Sequence, residues 1–543
     1  MEHTEFTENQ LNTFPKEAIV ALYMKLQGDF EAIRSQNAEL MKKADRLQET
    51  PDVLVQQKYG RKTEKNLTDG QLSFDFERSC VLNEAEEQTA GGLPEEPEAE
   101  EVITYKRKKP VGKREADLKD IVEIDDPASV LPEERLAEEF PGGYTRLEDE
   151  IYRELHYSPA QFEVHVKHIA VYRGKKTNRI LKADRPPRLM PHSIVSPSLA
   201  AAVMNAKFVN AVPLNRFSEE LKRYDVKISR QVLAGWMIKL SERYFSLLYD
   251  RMHEELLKSR LIHCDETPFK VIRDGRGSSA KSYMWVYHTH PDYEGRNIYL
   301  YDYTPTRAAD NPRKFLKGYR GILMTDGYQV YHTLEKEHPE ELTVAGCWAH
   351  AKRRFAGLCK AKGLAGAKGT ATQEAVNRID AVYHVDHMGK KADPDTLYRH
   401  RNSSVRPMVE DFFRWLREIR PSIDPSSETG RAIGYCLNQE TFLKAFLNNP
   451  MIPLDNNDAE RSIRKFCVGR KNWQIIDTPN GAGSSAVLYS ITETAKANGL
   501  KPYYYLKYVM EEMPKYFDGT DRSFIEDLLP WSEKLPDFCK NIK

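Results

Sequence analysis

The sequence has no net charge to work with: 81 Lys and Arg balance 81 Asp and Glu over 543 residues. A chain-wide field that would draw nucleic acid or a membrane surface is thereby excluded, and any charged partner must be met by a local patch. Long apolar runs are also missing. No stretch approaches the roughly 18 residues a membrane-spanning helix needs. The opening MEHTEFTENQ is acidic and polar where a signal peptide would be basic and then apolar, so a cytoplasmic protein is expected. Cysteine is sparse: seven residues, at positions 80, 264, 347, 359, 436, 467 and 539, none in a CxxC pair. That scatter excludes a disulfide framework and a Cys-rich zinc module and leaves reduced, mostly buried thiols.

What is present divides the chain into several units, as its length requires. Within 1–66, Ile19, Leu26, Ile33, Leu40 and Leu47 fall seven apart with Tyr23, Phe30, Asn37 and Ala44 between them. This is the seam of a short coiled coil over 19–47, with Asn37 at a position where a buried amide fixes register, although an amphipathic helix packed on its own chain has the same pattern. Residues 67–117 read as a charged linker: 81–103 hold eight Glu and no basic residue, and 104–115 then supply six basic residues. A small mixed segment, 118–195, contains the strand-like FEVHVKHIAVY at 162–172.

Residues 196–255 turn helical. LNRFSEELKRY, the break DVKI, and SRQVLAGWMIKL suggest two helices about a tight turn, the second capped by Ser229 and carrying Arg230 and Gln231 in its first turn. This fits a helix-turn-helix that reads DNA, and equally a helical hairpin that binds nothing. From 256 to 480 the period becomes strand-like: LIHCDETPFKVI, SYMWVYHTH and NIYLYDYT read as an antiparallel meander, followed by a helix, ILMTD, a helix, and LTVAGCWAH. A basic helical stretch, with Lys352, Arg353 and Arg354 at its start, occupies about 351–450, and 481–543 is a C-terminal helical segment. The element order is that of a multidomain α+β protein with an RNase H-like α/β core and a helical insertion.

In such a sheet the first and fourth strands are neighbours, which brings Asp265 and Asp326 to one end. Two adjacent carboxylates repel each other unless a cation lies between them, and hard divalent ions held this way serve in-line phosphoryl displacement. A third acid is expected from a later helix, and Glu460 falls in the first turn of one that Asn456 or Asn457 would cap. Arg461, Arg464, Lys465, Arg470 and Lys471, followed by Trp473, combine phosphate neutralisation with a ring that can stack on a base. Each acid alone also reads as a turn former or a helix-surface partner, and the basic run as a solvated face. Cys347 and His350 form half of a metal site, with a buried thiol and a histidine near the acids as the plainer reading.

The blocks HCDETPFKV, TDGYQVYH, AGCWAHAKRRF and LDNNDAERSIRKFCVGRKNW resemble the signature blocks of the insertion-sequence-66 family of bacterial DDE transposases. PLNRFSEELKRYDVKISRQVLAGW, SITETAKANGLKPYYYLKYVM and KYGRKTEK are similar to that family's helix-turn-helix, C-terminal segment and the region after its coiled coil. The resemblance implies that Asp265, Asp326 and Glu460 are the catalytic, metal-binding acids, with Mg²⁺ or Mn²⁺, two ions, as cofactor. It also implies cleavage at terminal inverted repeats, strand transfer to target DNA, and small accessory proteins encoded alongside. Relatives carry a Cys-rich zinc module between the basic linker and the helix-turn-helix, but 104–200 contain no cysteine, so no structural zinc is expected there. DNA, a second copy of the chain through 19–47, and a nucleoid location in a bacterial cytoplasm complete the expectation. The alternatives are a catalytically inactive DNA-binding regulator of the same fold and a nuclease without strand transfer.

Overall fold

A computed structural model describes residues 14–59, 134–135, 142, 161–173, 180–182, 188–277, 279–290, 296–389, 392–516 and 521–541. They fall into two compact units, one from Met1–Ser79 with Pro187–Lys540 and one from Cys80–Pro186 with Asn541–Lys543. The linker expected at 67–117 lies outside the described residues. Among the described residues no helix is long and apolar enough to cross a membrane.

The first 44 described helical residues form α1 (Lys16–Tyr59), unbroken through the expected seam. Leu26, Phe30, Ile33 and Leu40 on it are all exposed. In the smaller unit, strands β1 (Val171–Arg173) and β2 (Ile180–Lys182) pair antiparallel. The sheet covers only the end of the strand-like run at 162–172; residues 161–170 carry no regular secondary structure.

Helices α2 (Pro197–Met204), α3 (Leu214–Arg223), α4 (Arg230–Leu240) and α5 (Ser246–Leu256) follow. The Ser229 hydroxyl accepts from the Val232 amide at 3.4 Å, the cap its sequence position predicts. Asp225 takes a positive φ of 61° in the α3–α4 turn, and Ser218 Oγ donates to Ile228 O at 2.6 Å to close it.

The central sheet comprises β3 (Leu261–Phe269), β4 (Ser282–Thr289), β5 (Tyr299–Thr304), β6 (Gly321–Thr325) and β7 (Leu342–Gly346), with α6 (Asp310–Phe315) before β6 and α7 (Gln329–Glu337) after it. Its strand order is β5-β4-β3-β6-β7. The first three strands are antiparallel, as short polar connections allow, while β6 and β7 join in parallel through helical crossovers. The fold is thus a mixed α+β one around a five-stranded sheet.

Alternation along the parallel strands separates two cores. Leu261, Ile322, Met324 and Ala345 pack with α8 (Trp348–Ala367), α9 (Ala371–Gly389), α11 (Arg406–Ile419), α12 (Glu428–Asn438) and α13 (Glu440–Lys444), where Phe355, Ile379, Phe412, Phe413 and Ile433 are buried, while α10 (Pro394–His400), between α9 and α11, buries no residue. Ile262, Leu323 and Val344 face the other way, with the cluster that holds Ile463 and Phe466 of α14 (Asn457–Trp473) and Leu488 of α15 (Pro479–Ala497). Helix α15 buries Ser490, Thr492 and Thr494 because it covers the edge strand β5. Ser490 Oγ accepts from Tyr301 N at 2.7 Å and Thr494 Oγ1 from Tyr299 N at 3.0 Å, satisfying a row that the sheet leaves open. Helices α16 (Pro502–Tyr516) and α17 (Ile525–Leu528) end the chain's helical tail.

Candidate active site

Parallel pairing sets the first two acids. Leu261, Ile262 and His263 of β3 stand opposite Ile322, Leu323 and Met324 of β6. Continued by two positions, that register brings Asp265 opposite Asp326, both on the side of the sheet taken by Leu261 and Ile322. Asp326 follows the last residue of β6, where Gly327 turns the chain at φ 89°. A Cβ at Gly327 would lie 3.0 Å from Gln439 Oε1 and 3.1 Å from the Tyr435 hydroxyl, so the turn needs glycine for both its dihedral and its space. Asp326 Oδ1 accepts from the Tyr328 amide at 3.0 Å, and its carbonyl accepts from Tyr435 Oη at 2.8 Å. The helices between β7 and α14 therefore support the turn that carries the acid.

Glu460 arrives from α14, and Asn456 positions that helix. Helix α14 begins at Asn457 with Asn456 as the preceding residue, but the Asn456 side chain makes no cap bond. Instead it accepts from His263 Nδ1 at 2.7 Å and donates to Cys264 O at 2.8 Å, fastening α14 to β3. The capping role expected from sequence gives way to this bridge because the amide is completely buried between the two elements. Trp348 N donates to Leu454 O at 3.0 Å and Asn456 N to Cys347 Sγ at 3.2 Å, so the same segment is tied to the start of α8.

The electrostatics follow from this assembly. Burial raises the Asp265 carboxyl well above its ordinary value, and the charges of Glu266, Asp326 and Glu460 push it further. Among the described residues no basic side chain lies within ion-pair distance of Asp265 or Asp326. Glu460, 8% exposed, is held differently: Arg353 Nη2 donates to Oε2 at 2.6 Å and His350 Nδ1 lies 3.5 Å from Oε1. Burial lowers the His350 imidazole while the Glu460 charge works against that shift. Glu266, on the other side of the strand by alternation, pairs with Arg307, whose guanidinium lies 3.7 Å over the Tyr328 ring. Its carboxyl is pushed up to about 7, by burial first and then by the Asp326 charge, with Arg307 opposing.

A family model described as "Transposase IS66 family" matches residues 192–484, more than half of the chain and all three acids with the strands and helix that carry them, and "IS66 C-terminal element" matches 490–531. The chain belongs to this transposase family. Three relatives from Sinorhizobium fredii (strain NBRC 101917 / NGR234) are similar at lower resolution. "Uncharacterized protein y4qI" is 28% identical over 386 residues, 69% of this chain and 70% of the relative. "Uncharacterized protein y4jD" is 27% identical over 369 residues, 66% of this chain and 70% of the relative, and "Uncharacterized protein y4hP" 25% over 405 residues, 72% of each.

In this family member the basic residues singled out from sequence are spread over several settings. Arg230 and Gln231 are exposed at the start of α4, beside a concave surface that Lys222 and Lys227 also line. Lys352 pairs with Asp380, Arg353 with Glu460, and Arg354 lies 4.0 Å over the Tyr435 ring. On α14, Arg461 pairs with Asp458, Arg470 donates to Pro268 O, Arg464 is half-buried, and Lys465 and Lys471 are exposed. Trp473 is half-buried, its ring 6.5 Å from that of Tyr489. Asn456, Arg307 and Tyr435 were not legible as site residues: each acts across more than 40 positions, and only the block resemblance around Asn456 hinted at one of them.

Proposed function

We propose that this family member is a metal-dependent DNA transposase that nicks the terminal inverted repeats of its element and joins the freed 3′ hydroxyl to target DNA. The observation that carries the reading is the register that sets Asp265 opposite Asp326, with the Glu460 charge acting on Asp265. The sheet order β5-β4-β3-β6-β7 supports an RNase H-like core interrupted by helices α8–α13 before the third acid.

The donor set fits hard divalent cations such as Mg²⁺ or Mn²⁺: oxygen ligands, a raised carboxyl on Asp265 and, among the described residues, no basic side chain on either aspartate. When bound, a pair of such ions activates the attacking oxygen and stabilises the leaving one in an in-line displacement. Asp265 and Asp326 would hold the ions from the sheet, and Glu460 would join them from α14. Arg353 and His350 orient Glu460, and Arg307 keeps Glu266 paired beside the acids.

DNA is engaged by Arg230 and Gln231 in a helix-turn-helix of α3 and α4. Lys352 and Arg354, with Arg461, Arg464, Lys465, Arg470 and Lys471 of α14, line the substrate path on this reading, while Arg353 is engaged by Glu460 and Trp473 packs against Tyr489. The exposed apolar seam of α1 pairs two protomers so that two ends are held together. The test is a nicking assay on oligonucleotides carrying the element ends, with Mg²⁺. Wild type is expected to nick and to yield joined donor-target products; equal nicking by Asp326→Ala would refute the catalytic assignment, and nicking without joining would leave a nuclease.

A further inference from the structure

Three donors of different hardness meet at the edge of the acid cluster. Cys347 ends the segment after β7, His350 lies in the first turn of α8, and Glu460 in the first turn of α14. One ligand atom from each, a sulfur, an imidazole nitrogen and a carboxylate oxygen, lies within 4.8 Å of the other two. His350 Nδ1 and Glu460 Oε1 are both buried without a hydrogen-bond partner, although they lie 3.5 Å apart. Two buried polar atoms facing each other unsatisfied call for a group between them.

The sulfur carries the second observation. Cys347 Sγ is fully buried, yet it accepts a hydrogen bond from Asn456 N at 3.2 Å. The Asn456 amide fixes the direction of the buried sulfur, as outer-sphere partners orient ligands in metal sites. The spacing on α8 is a three-residue step, which places Cys347 and His350 on one side of the helix start.

We propose that Cys347, His350 and Glu460 form a binding site for one thiophilic divalent cation, with Zn²⁺ the expected occupant. Mixed sulfur, nitrogen and oxygen donors favour Zn²⁺ or Co²⁺ over Mg²⁺, which prefers oxygen. Three protein donors leave the fourth position of a tetrahedral ion open. On binding, the thiol gives its proton to solvent and the sulfur–metal bond forms, so affinity rises with pH. Coordination through Nδ1 uses the imidazole tautomer with hydrogen on Nε2, which relinquishes the 3.4 Å contact with Arg353 Nη1. Arg353 keeps Glu460 Oε2, leaving Oε1 for the ion.

Glu460 would then belong to either of two cation sites. This consequence rests on the transposase reading: Zn²⁺ at the sulfur site withdraws the third acid and inhibits Mg²⁺-dependent nicking.

The test uses the full chain, stripped of metal and titrated anaerobically with Co²⁺. The expected result is a near-ultraviolet sulfur-to-cobalt charge-transfer band that saturates at one equivalent and is erased by Zn²⁺ but not by Mg²⁺. Cys347→Ser abolishes the band, His350→Gln weakens Co²⁺ binding by about tenfold or more, and Cys436→Ser leaves it unchanged. Absence of the band in wild type, or its persistence in Cys347→Ser, overturns the proposal; His350→Gln gives the same decision if Cys347→Ser does not fold. The band does not depend on cleavage. A band without nicking sinks only the transposase reading, and Zn²⁺-insensitive nicking without a band sinks only this one.

Discussion

On the strand side of the acid cluster, Asp265 and Asp326 lie together with no basic side chain to pair with among the described residues, whereas on the helix side Glu460 and, behind the strand, Glu266 each hold an arginine. The four carboxylates are close enough to feel one another, so burial alone does not separate the pairs. The difference lies in what neutralises them. The paired acids are part of the fold's own ion network, although burial still pushes Glu266 up to about 7 against the opposing Arg307 charge. The unpaired ones are held in place by backbone register against their mutual repulsion, an arrangement that costs stability until a cation arrives.

That contrast is broken most sharply by removing charge from each side. Asp265→Asn or Asp326→Asn is expected to reduce nicking about a thousandfold, the equivalent of several kcal/mol of lost transition-state stabilisation, while the thermal midpoint of the metal-free protein stays level or rises. A midpoint that falls along with activity would show the aspartates to be structural.

The next effect is in pH. Asp302 on β5 is also raised, to about 7, by burial, with Lys314 and the Tyr303 amide opposing. Its folded-state value lies above the unfolded one, so the folded chain holds a proton there that the unfolded chain has lost. Stability therefore falls as pH rises from the ordinary carboxylate range to about 7, by an order of a few kcal/mol. Asp265, raised for the same first reason, adds a slope of the same sign. Chemical denaturation between pH 4 and 8 should show both, with Mg²⁺ flattening only the Asp265 part and Asp302→Asn only the other. If Mg²⁺ leaves the slope of the Asp302→Asn variant unaltered, no divalent ion is bound at the aspartates.

Asn456→Ala should lower stability by about 1–3 kcal/mol, since it strips two hydrogen bonds from a buried bridge, and should also reduce nicking by releasing α14. Unchanged nicking at a lowered midpoint would confine Asn456 to folding. The smallest change is at Glu266→Gln: about 1 kcal/mol from weakening the pair with Arg307, which is 38% exposed, with Mg²⁺ dependence of nicking retained. Loss of that Mg²⁺ dependence would move Glu266 from the paired group to the unpaired one.

Much of this contrast is visible in the one-dimensional pattern. Apolar runs bounded by turn residues mark β3 to β7, and Asp265 and Asp326 stand where two of those runs give way to polar residues. The partners are not visible in that way. Arg353 looks like one of three basic residues available for phosphate, yet it serves Glu460; Asn456 looks like a cap and acts as a bridge. Trp473 looks like a stacking ring and is half-buried by α15. In each case the side chain has several competent chemistries, and only the neighbour that folding brings within 3 Å or so selects one.

By itself the sequence determined the period of each element, the glycine that lets the chain turn after Asp326, and the parity that puts Asp265 on the side of Leu261 and Asp326 on the side of Ile322 within their own strands. These are local consequences of backbone geometry and side-chain alternation. The tertiary structure decided which acids are neutralised and which are left exposed to one another. Charge pairing depends on distances across 41 residues for Glu266 and 107 for Glu460, and those distances exist only once the sheet register and the start of α14 are set.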